Sequence, residues 1–455
     1  MDAEERKREA SVRGEALNTL LAVMEEGVFC DKAVHKSLKE CHFESRDRKL
    51  FTRLVEGTVE RCIELDYILN CFSKVKVKKM KPVIRNILRL SLYQILYMDQ
   101  IGDFAACNEA VRLTEKRKLY GLKGFVNGVL RNIVRQKEKL PYPERSEIFT
   151  YLSVYYSTPE WLVRYFVKLY GEAATEEIFK VFFKEEKLLP VRLEQSNVSA
   201  EQFEASLLQD GVHFYKGRLF PYAYYLELPC GLEELESFKK GCFAVQDESS
   251  MLPGAVSGVK EGDFVIDICA APGGKSMHLD DMMHHSGTVI SADLTEKKVS
   301  LIRENAERLH AASVIPTVND ARVFRKEWKE KADVVIADLP CSGLGVVGKK
   351  CDIKYKTKAE EIGVLAALQR EILKTAACYL KPGGRLVYST CTLTNEENEE
   401  NRHFIERELS LLPVPVEAEL PACLQGKTGK DGYIQVMPNE TGTDGFFVAV
   451  FEKGA

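Results

Sequence analysis

Two cysteines stand where chemistry is expected. Cys341 lies in DLPCSGLG and Cys391 in YSTCT, each directly after a run that reads as a β-strand. A third feature, AAPGGKS, follows the strand-like run DFVIDIC and leads into a helical segment. Parallel strands share one carboxyl edge, and ligands collect in the crevice outside it, so thiols ending two such strands face one crevice however far apart they are in sequence. A thiol there is a candidate nucleophile for covalent catalysis. A free cysteine, with a pKa of about 8.5, is only a few per cent thiolate at neutral pH, so local activation is expected. Most free cysteines are buried filler, and filler is expected among Cys62, Cys269 and Cys378.

The glycine turn lets backbone approach a ligand closely above the sheet edge. It lacks the dinucleotide fingerprint G-x-G-x-x-G. Gly274-Lys275-Ser276 matches the end of a phosphate-cradling G-x-x-x-x-G-K-[ST] loop, but position 269 is Cys where Gly is required, so a P-loop ATPase is the nearest rival. Acids close three later runs: Asp293 after VISA, Asp320 after the third strand region and Asp338 after VVIA. An acid ending the second strand is where ribose hydroxyls are gripped. A strand-end acid can also simply cap the next helix; three of them beside one glycine loop favour the ligand-binding reading. Asp338, three residues before Cys341, is a candidate proton donor. That role requires it to be protonated, or hydrogen-bonded to an already protonated base.

The elements that must position these groups follow from periodicity. From about residue 240 strands and helices alternate (DFVIDIC, TVISADL, SVIPTV, DVVIADL, RLVYST), the mark of a parallel α/β sheet. The first 140 residues read as helix throughout. Phe51, Leu54, Val55, Val59, Cys62 and Ile63 form one stripe, and PVIRNILRLSLYQILYM is apolar nearly all round, as a buried central helix would be. Between them, PYPERS (141–146) is the best linker candidate. Thr158-Pro159-Glu160 should cap and start a helix ending at Gly171, and strands in VRLEQSN and RLFPYAYYLEL should flank a helix near 200–209.

A chain of 455 residues implies two or three domains. The net charge of −4 hides an asymmetry: residues 1–140 hold 28 Lys and Arg against 20 Asp and Glu, and residues 71–140 alone hold 16 against 5. Such a block points to a polyanion partner or to a solvated helix face. No apolar run is long enough for a membrane span, and the charged start MDAEERKREA excludes a secretory signal. The thirteen cysteines are therefore expected as free thiols in a reducing cytoplasm. Neither C-x-x-C nor H-E-x-x-H occurs, so no metal is expected.

CAAPGGK (269–275), ADLPCSGLG (337–345) and YSTCT (388–392) together resemble the Nop2/Sun family of RNA 5-methylcytosine methyltransferases, and the closing TDGFFVAVFEK resembles that family's last strands. The likeness covers about 155–455. The first 140 residues, with LVEGTVERCIELDYIL, NEAVRLTEK and GFVNGVLRNI, resemble a NusB-type RNA-binding bundle, a fusion typical of bacterial members acting on small-subunit ribosomal RNA. The resemblance implies three domains: an all-α NusB-like bundle (1–140), a small α+β domain contacting RNA (141–240) and a Rossmann-like α/β methyltransferase domain (241–455).

It implies S-adenosyl-L-methionine as cofactor. The contacts are Cys269, Ala270, Ala271, Pro272, Gly273, Gly274 and Lys275 of the loop, with Asp293, Asp320 and Asp338. It implies Cys391 as the nucleophile that adds to a cytosine ring and Cys341 as the residue that resolves the adduct. RNA is the partner, with an unpaired or loop cytosine as target, and the chain is expected to act as a monomer. Two departures stand out. Leu339 replaces the family's alanine, which should tighten packing near Asp338. GKKCDIKY has Lys349, Lys350 and Cys351 where members often show arginines and a proline, which leaves a phosphate contact open beside a plain solvated lysine pair. A non-catalytic RNA-binding assembly factor on a methyltransferase fold is the rival from another class. A DNA methyltransferase is disfavoured, because those enzymes resemble a Pro-Cys nucleophile without the Thr-Cys partner.

Overall fold

The apolar stripe of the first region is interrupted once. In the computed structural model, which describes residues 11–41, 43–183, 188–228 and 231–454, it is carried by two helices, Ser45–Glu60 and Cys62–Phe72, meeting at Arg61. Phe51, Leu54, Val55, Val59 and Cys62 are buried, while Ile63 is half-buried. Pro82 opens the helix Pro82–Tyr97, where the missing N–H costs nothing. Its interior is buried almost all round, and Arg89 reaches out through a bidentate pair to Asp66 (both N–O distances 2.7 Å). The charged start, residues 1–10, lies outside the described residues.

The chain divides into two compact units: residues 1–183 with 347–356, and residues 184–346 with 357–455. These divisions fall at neither 140 nor 240. Thr158 does not cap a helix, because its hydroxyl donates to the Tyr156 carbonyl, and the helix starts at Glu160. That helix does not stop at Gly171. It breaks there, at φ 79°, a left-handed conformation that glycine adopts freely, and helix resumes to Phe182. The segment 347–356 belongs to the first unit, where Cys351 joins the helical core and Asp352 accepts from the Cys30 amide at 2.8 Å.

The second unit holds two sheets. Strands β1 (Leu189–Leu193), β2 (His213–Lys216), β3 (Ala223–Glu227) and β4 (Phe243–Val245) form an antiparallel sheet in the order β2-β3-β1-β4. Of these, β2 and β4 were not expected from the sequence. The large sheet contains β5 (Phe264–Asp267), β6 (Thr288–Asp293), β7 (Val314–Val318), β8 (Ala332–Asp338), β9 (Leu380–Thr390), β10 (Leu412–Pro413), β11 (Tyr433–Val436) and β12 (Phe446–Glu452).

Its order is β10-β12-β9-β8-β5-β6-β7, with β11 also paired to β12. Strands β5 to β9 run parallel, and β12 lies antiparallel to β9. Side chains alternate between faces: Val265, Val289, Val334 and Val387 enter one apolar cluster, and Ile266, Ile290, Val335 and Leu386 enter another. Burial on both faces explains why these strands read as continuous apolar runs. Among the described residues, no helix is long and apolar enough to cross a membrane, and no cluster of three or more His, Cys, Asp or Glu could hold a metal ion.

Candidate active site

The site is built at the carboxyl ends of β5, β8 and β9. After β5 the chain turns at Gly273, whose φ of 105° demands glycine, and enters the helix Gly274–Met282. The turn is pinned by the Gly273 amide on the Ala270 carbonyl (2.7 Å) and the Ala271 amide on Asp293 Oδ2 (3.0 Å). Cys269, Ala270, Ala271, Pro272, Gly274, Lys275 and Asp338 line a cleft of about 210 Å³ there; Gly273 shapes the turn but is not among the residues lining it.

The register of β8 on β9 pairs Asp338 with Ser389. This brings Cys341 and Cys391 into contact, their Sγ atoms 3.3 Å apart. Both are half-buried. Gly345, on the loop after Cys341, donates its amide to the Cys391 carbonyl (3.0 Å) and lies so close to Gly445 that a Cβ would fall 2.1 Å from its carbonyl oxygen. Only glycine fits there. Leu339 is buried in the apolar cluster beneath this edge.

Lys275 Nζ reaches across to Asp338 Oδ2 at 2.5 Å, and Ser389 Oγ donates to Asp338 Oδ1 at 2.8 Å. Burial alone would lower the Lys275 ammonium, but Asp338, Asp267 and Cys391 together raise it above its usual value. The Lys275 ammonium therefore holds a proton that is hydrogen-bonded to Asp338 Oδ2. The Cys341 thiol is pushed well above its ordinary range, first by its contact with Cys391, then by burial, then by the carboxylates of Glu397 and Asp338. Cys269 is also raised, by burial and then by Asp293, Asp267 and Asp338, so this cleft-lining sulfur stays a thiol.

The other acids divide. Asp293 is buried and already accepts from the amides of Ala271 and Leu294 and from Lys298 Nζ (2.9 Å). Asp320 is gripped by the Arg322 guanidinium (3.0 and 2.7 Å), which holds its carboxyl below the usual range. Neither is among the residues lining the cleft. Of the cysteines read as filler, Cys62 is buried, Cys269 is half-buried in the cleft and Cys378 is exposed.

Several cleft residues were missed. Asp267 ends β5, and burial raises its carboxyl to about 7 against the opposing pull of Ser276 and Lys275. Its Oδ2 accepts from Ser276 Oγ (2.7 Å), while its buried Oδ1 has no protein partner. An acid inside the apolar run DFVIDIC was the available signal. Gln246, Asp247 and Ser250 also line the cleft. Gln246 holds Arg192 Nε (2.8 Å), a fully buried guanidinium paired with Glu194 (2.7 Å) and Asp281 (3.3 Å), so the small sheet braces the helix after the glycine turn. Nothing in the sequence pointed to these.

The sequence pattern of the family described as 16S rRNA methyltransferase RsmB/F matches residues 256–452, and that of the NusB family matches residues 10–135. The chain is 36% identical to the probable ribosomal RNA small subunit methyltransferase B of Bacillus subtilis, over 98% of this chain and 99% of that one. It is 30% identical to the ribosomal RNA small subunit methyltransferase B of Vibrio cholerae, over 97% and 98%. Among solved structures, that of PH0851 superposes with a TM-score of 0.80 at 25% identity, covering 97% of this chain and 98% of the other. NSun6 from Pyrococcus horikoshii, solved with SFG, shares the fold at a TM-score of 0.57 and 23% identity, over 65% of this chain and 98% of its own. An N-terminal NusB domain followed by a Rossmann-like methyltransferase domain, over the full length of its relatives, places this chain in the ribosomal RNA small subunit methyltransferase B family.

Proposed function

We propose that this protein transfers a methyl group from S-adenosyl-L-methionine to carbon 5 of one cytosine in small-subunit ribosomal RNA, through a covalent adduct of Cys391 at carbon 6. The observation that carries this reading is the 3.3 Å contact of two strand-end thiols beside a glycine-turn cleft. The cleft residues fit the donor. Asp267 Oδ1, buried and unpartnered, can accept from a cationic or hydroxylic group, and the turn's backbone lies open to close approach. Residues 269–275 would hold the donor with Asp338. Asp293 has a lone pair to spare for a ribose hydroxyl, and Asp320 joins only by sharing its carboxylate with Arg322. S-adenosyl-L-methionine supplies an electrophilic methyl group.

The chain's own residues do the rest. Carbon 5 of cytosine is too weak a nucleophile to take that methyl. The Cys391 thiolate, favoured by the Lys275 ammonium, adds to carbon 6 and makes carbon 5 enamine-like. The ring's nitrogen 3 takes a proton as the sulfur adds, and the Lys275–Asp338 pair is the proton source. After methyl transfer the Lys275–Asp338 pair, one proton short, takes the Cys341 proton; the Cys341 thiolate then removes the carbon 5 proton, carbon–sulfur cleavage returns the Cys391 thiolate, and nitrogen 3 gives up its proton to solvent as the aromatic ring is restored.

The cytosine must leave its stack to reach Cys391. An unpaired or loop nucleotide is therefore the target, because duplex RNA hides its base edges. The basic first region, residues 1–140 of the proposed three-part division, supplies affinity for phosphates; residues 141–240 contact RNA and 241–455 carry the chemistry. The protein works in the cytoplasm as a monomer. Bisulfite sequencing of small-subunit ribosomal RNA from cells with and without this protein tests the reading. One cytosine should lose its resistance to conversion in the deficient cells; identical maps would refute it.

A further inference from the structure

The two thiol-bearing segments are held from behind by adjacent residues outside the motifs, Glu397 and Asn398. Glu397 is 0% exposed. Its Oε1 accepts from the Ser342 amide (2.9 Å) and Gln369 Nε2 (3.0 Å), and its Oε2 from Ser342 Oγ (2.5 Å) and Thr394 Oγ1 (2.7 Å). These four donors fill the lone-pair sites of a carboxylate. Ser342 directly follows Cys341. Its hydroxyl, having donated to Glu397, is left to accept from Thr392 Oγ1 at 2.7 Å, and Thr392 directly follows Cys391. Asn398 closes the other side: its Oδ1 accepts from Thr390 Oγ1 (2.6 Å) and its Nδ2 donates to the Thr392 carbonyl (3.0 Å). Gln369 Nε2 also donates to the carbonyl of Pro340, the residue before Cys341 (2.8 Å). Each cysteine is therefore clamped on both flanks, and both clamps run through one dipeptide.

We propose that Glu397 is a positioning residue that locks the segments carrying Cys341 and Cys391 at contact distance and divides the roles of the two thiols. The inference rests on the reading of Cys391 as nucleophile. The division is electrostatic. The groups facing Cys341 are Cys391 and the carboxylates of Glu397 and Asp338, all of which favour its protonated form. Cys391 also interacts with the Lys275 ammonium. One proton between two touching sulfurs is thereby directed to Cys341, leaving Cys391 as the thiolate.

The variants E397Q and E397A separate charge from clamp. A glutamine carbonyl can still accept from the Ser342 and Gln369 N–H groups, and its amide can donate to the Ser342 and Thr394 hydroxyls, so E397Q keeps the clamp and loses the charge. E397A loses both. The test uses the full chain without RNA. Iodoacetamide alkylation of Cys341 and Cys391 is followed from pH 6 to 10 by peptide mass spectrometry, and diamide, a two-electron thiol oxidant reduced to its hydrazine, is used to join the two sulfurs as they lose two protons and two electrons. In E397Q Cys341 should be alkylated on the order of tenfold faster at any fixed pH below its midpoint, the counterpart of a fall of about one pH unit, while cross-linking stays at the wild-type rate. In E397A cross-linking should slow at least roughly tenfold as the contact is lost. A Cys341 profile in E397Q that superposes on wild type overturns the proposal, as does wild-type cross-linking in E397A; should E397A not fold, E397Q decides. These readouts need no RNA. Turnover persisting in a Cys391→Ala variant would remove the functional reading alone, and the thiol data would still settle what Glu397 does.

Discussion

Replacing Cys341 with alanine should convert the enzyme into a trap for its own intermediate. The change removes one sulfur from a half-buried site, at a stability cost on the order of 1 kcal/mol, which leaves a chain of this size folded. Cys391 keeps its clamp from Asn398 and its neighbour Lys275, so addition to carbon 6 should proceed at close to the wild-type rate. Loss of the base that takes the carbon 5 proton should slow release by about 10²–10⁴-fold, roughly 3–5 kcal/mol on that barrier. If addition and release are comparable in the wild type, a hundredfold slowing places about 99% of the engaged enzyme in the adduct. The assay is a denaturing gel of purified Cys341→Ala protein incubated with transcribed small-subunit ribosomal RNA and S-adenosyl-L-methionine. A slow-migrating protein–RNA band should approach the amount of enzyme added and disappear in the Cys341→Ala/Cys391→Ala double variant. Wild-type turnover without a band would show that Cys341 takes no part in release, and a band surviving in the double variant would place the nucleophile elsewhere.

Cys391→Ala alone should abolish methyl transfer and yield no adduct; turnover above background in that variant removes the nucleophile assignment. Lys275→Met should slow alkylation of Cys391 at pH 7 by roughly tenfold, about one pKa unit for a nearby ammonium partly balanced by Asp338; an unchanged rate would deny the lysine its activating role. In the first unit, Lys354 is buried on the carbonyls of Glu60 (3.0 Å) and Tyr156 (3.4 Å), and burial lowers its ammonium to about 7. Above pH 7 the unfolded chain binds this proton and the folded one does not, so stability should rise by roughly 2 kcal/mol between pH 7 and 9. Lys354→Met should flatten that rise in urea unfolding curves, and parallel curves for the two proteins would contradict it. RNA affinity should fall by about 10³-fold between 50 and 200 mM salt if six or more phosphates are neutralised; filter binding that varies little over this range would exclude the basic region as the main anchor.

The site was legible where chemistry writes itself into local pattern. A glycine with positive φ, a thiol after each of two strands and a lysine two residues past the turn are one-dimensional signals, and the shared edge of a parallel sheet brings them together whatever their spacing. Strands buried on both faces announce themselves as apolar runs, so β5 to β9 could be read directly. The short strands β2 and β4 could not. The burial of β2 is mostly outward (only Phe214 is half-buried) and β4 is three residues long, so neither has a period to detect. The strand-end acids could not be told apart from the sequence, for a related reason. Asp293, Asp320 and Asp338 look equivalent in sequence, yet the nearest cation decides what each is free to do: Lys298 and two amides occupy the first, Arg322 the second, and Lys275 delivers the third to the thiols.

The least legible residues are polar ones that act from inside the protein. TNEENEEN is polar throughout, yet only Asn395 and Glu400 of it are exposed. Glu397 is fully buried there, because Ser342 and Gln369 arrive from elsewhere in the chain to satisfy it. The same blindness applies to GKKCDIKY. Its lysines 349 and 350 are exposed, as a phosphate-contacting loop would require, but Cys351, Asp352 and Lys354 are interior residues of the helical unit. A buried charge costs several kcal/mol unless its donors are already in place, so such a residue can persist only where distant segments are held to fixed positions. That constraint makes Glu397 a sharper marker of the assembled site than either cysteine. A thiol tolerates many surroundings, whereas this carboxylate tolerates only the one arrangement in which the two sulfurs touch.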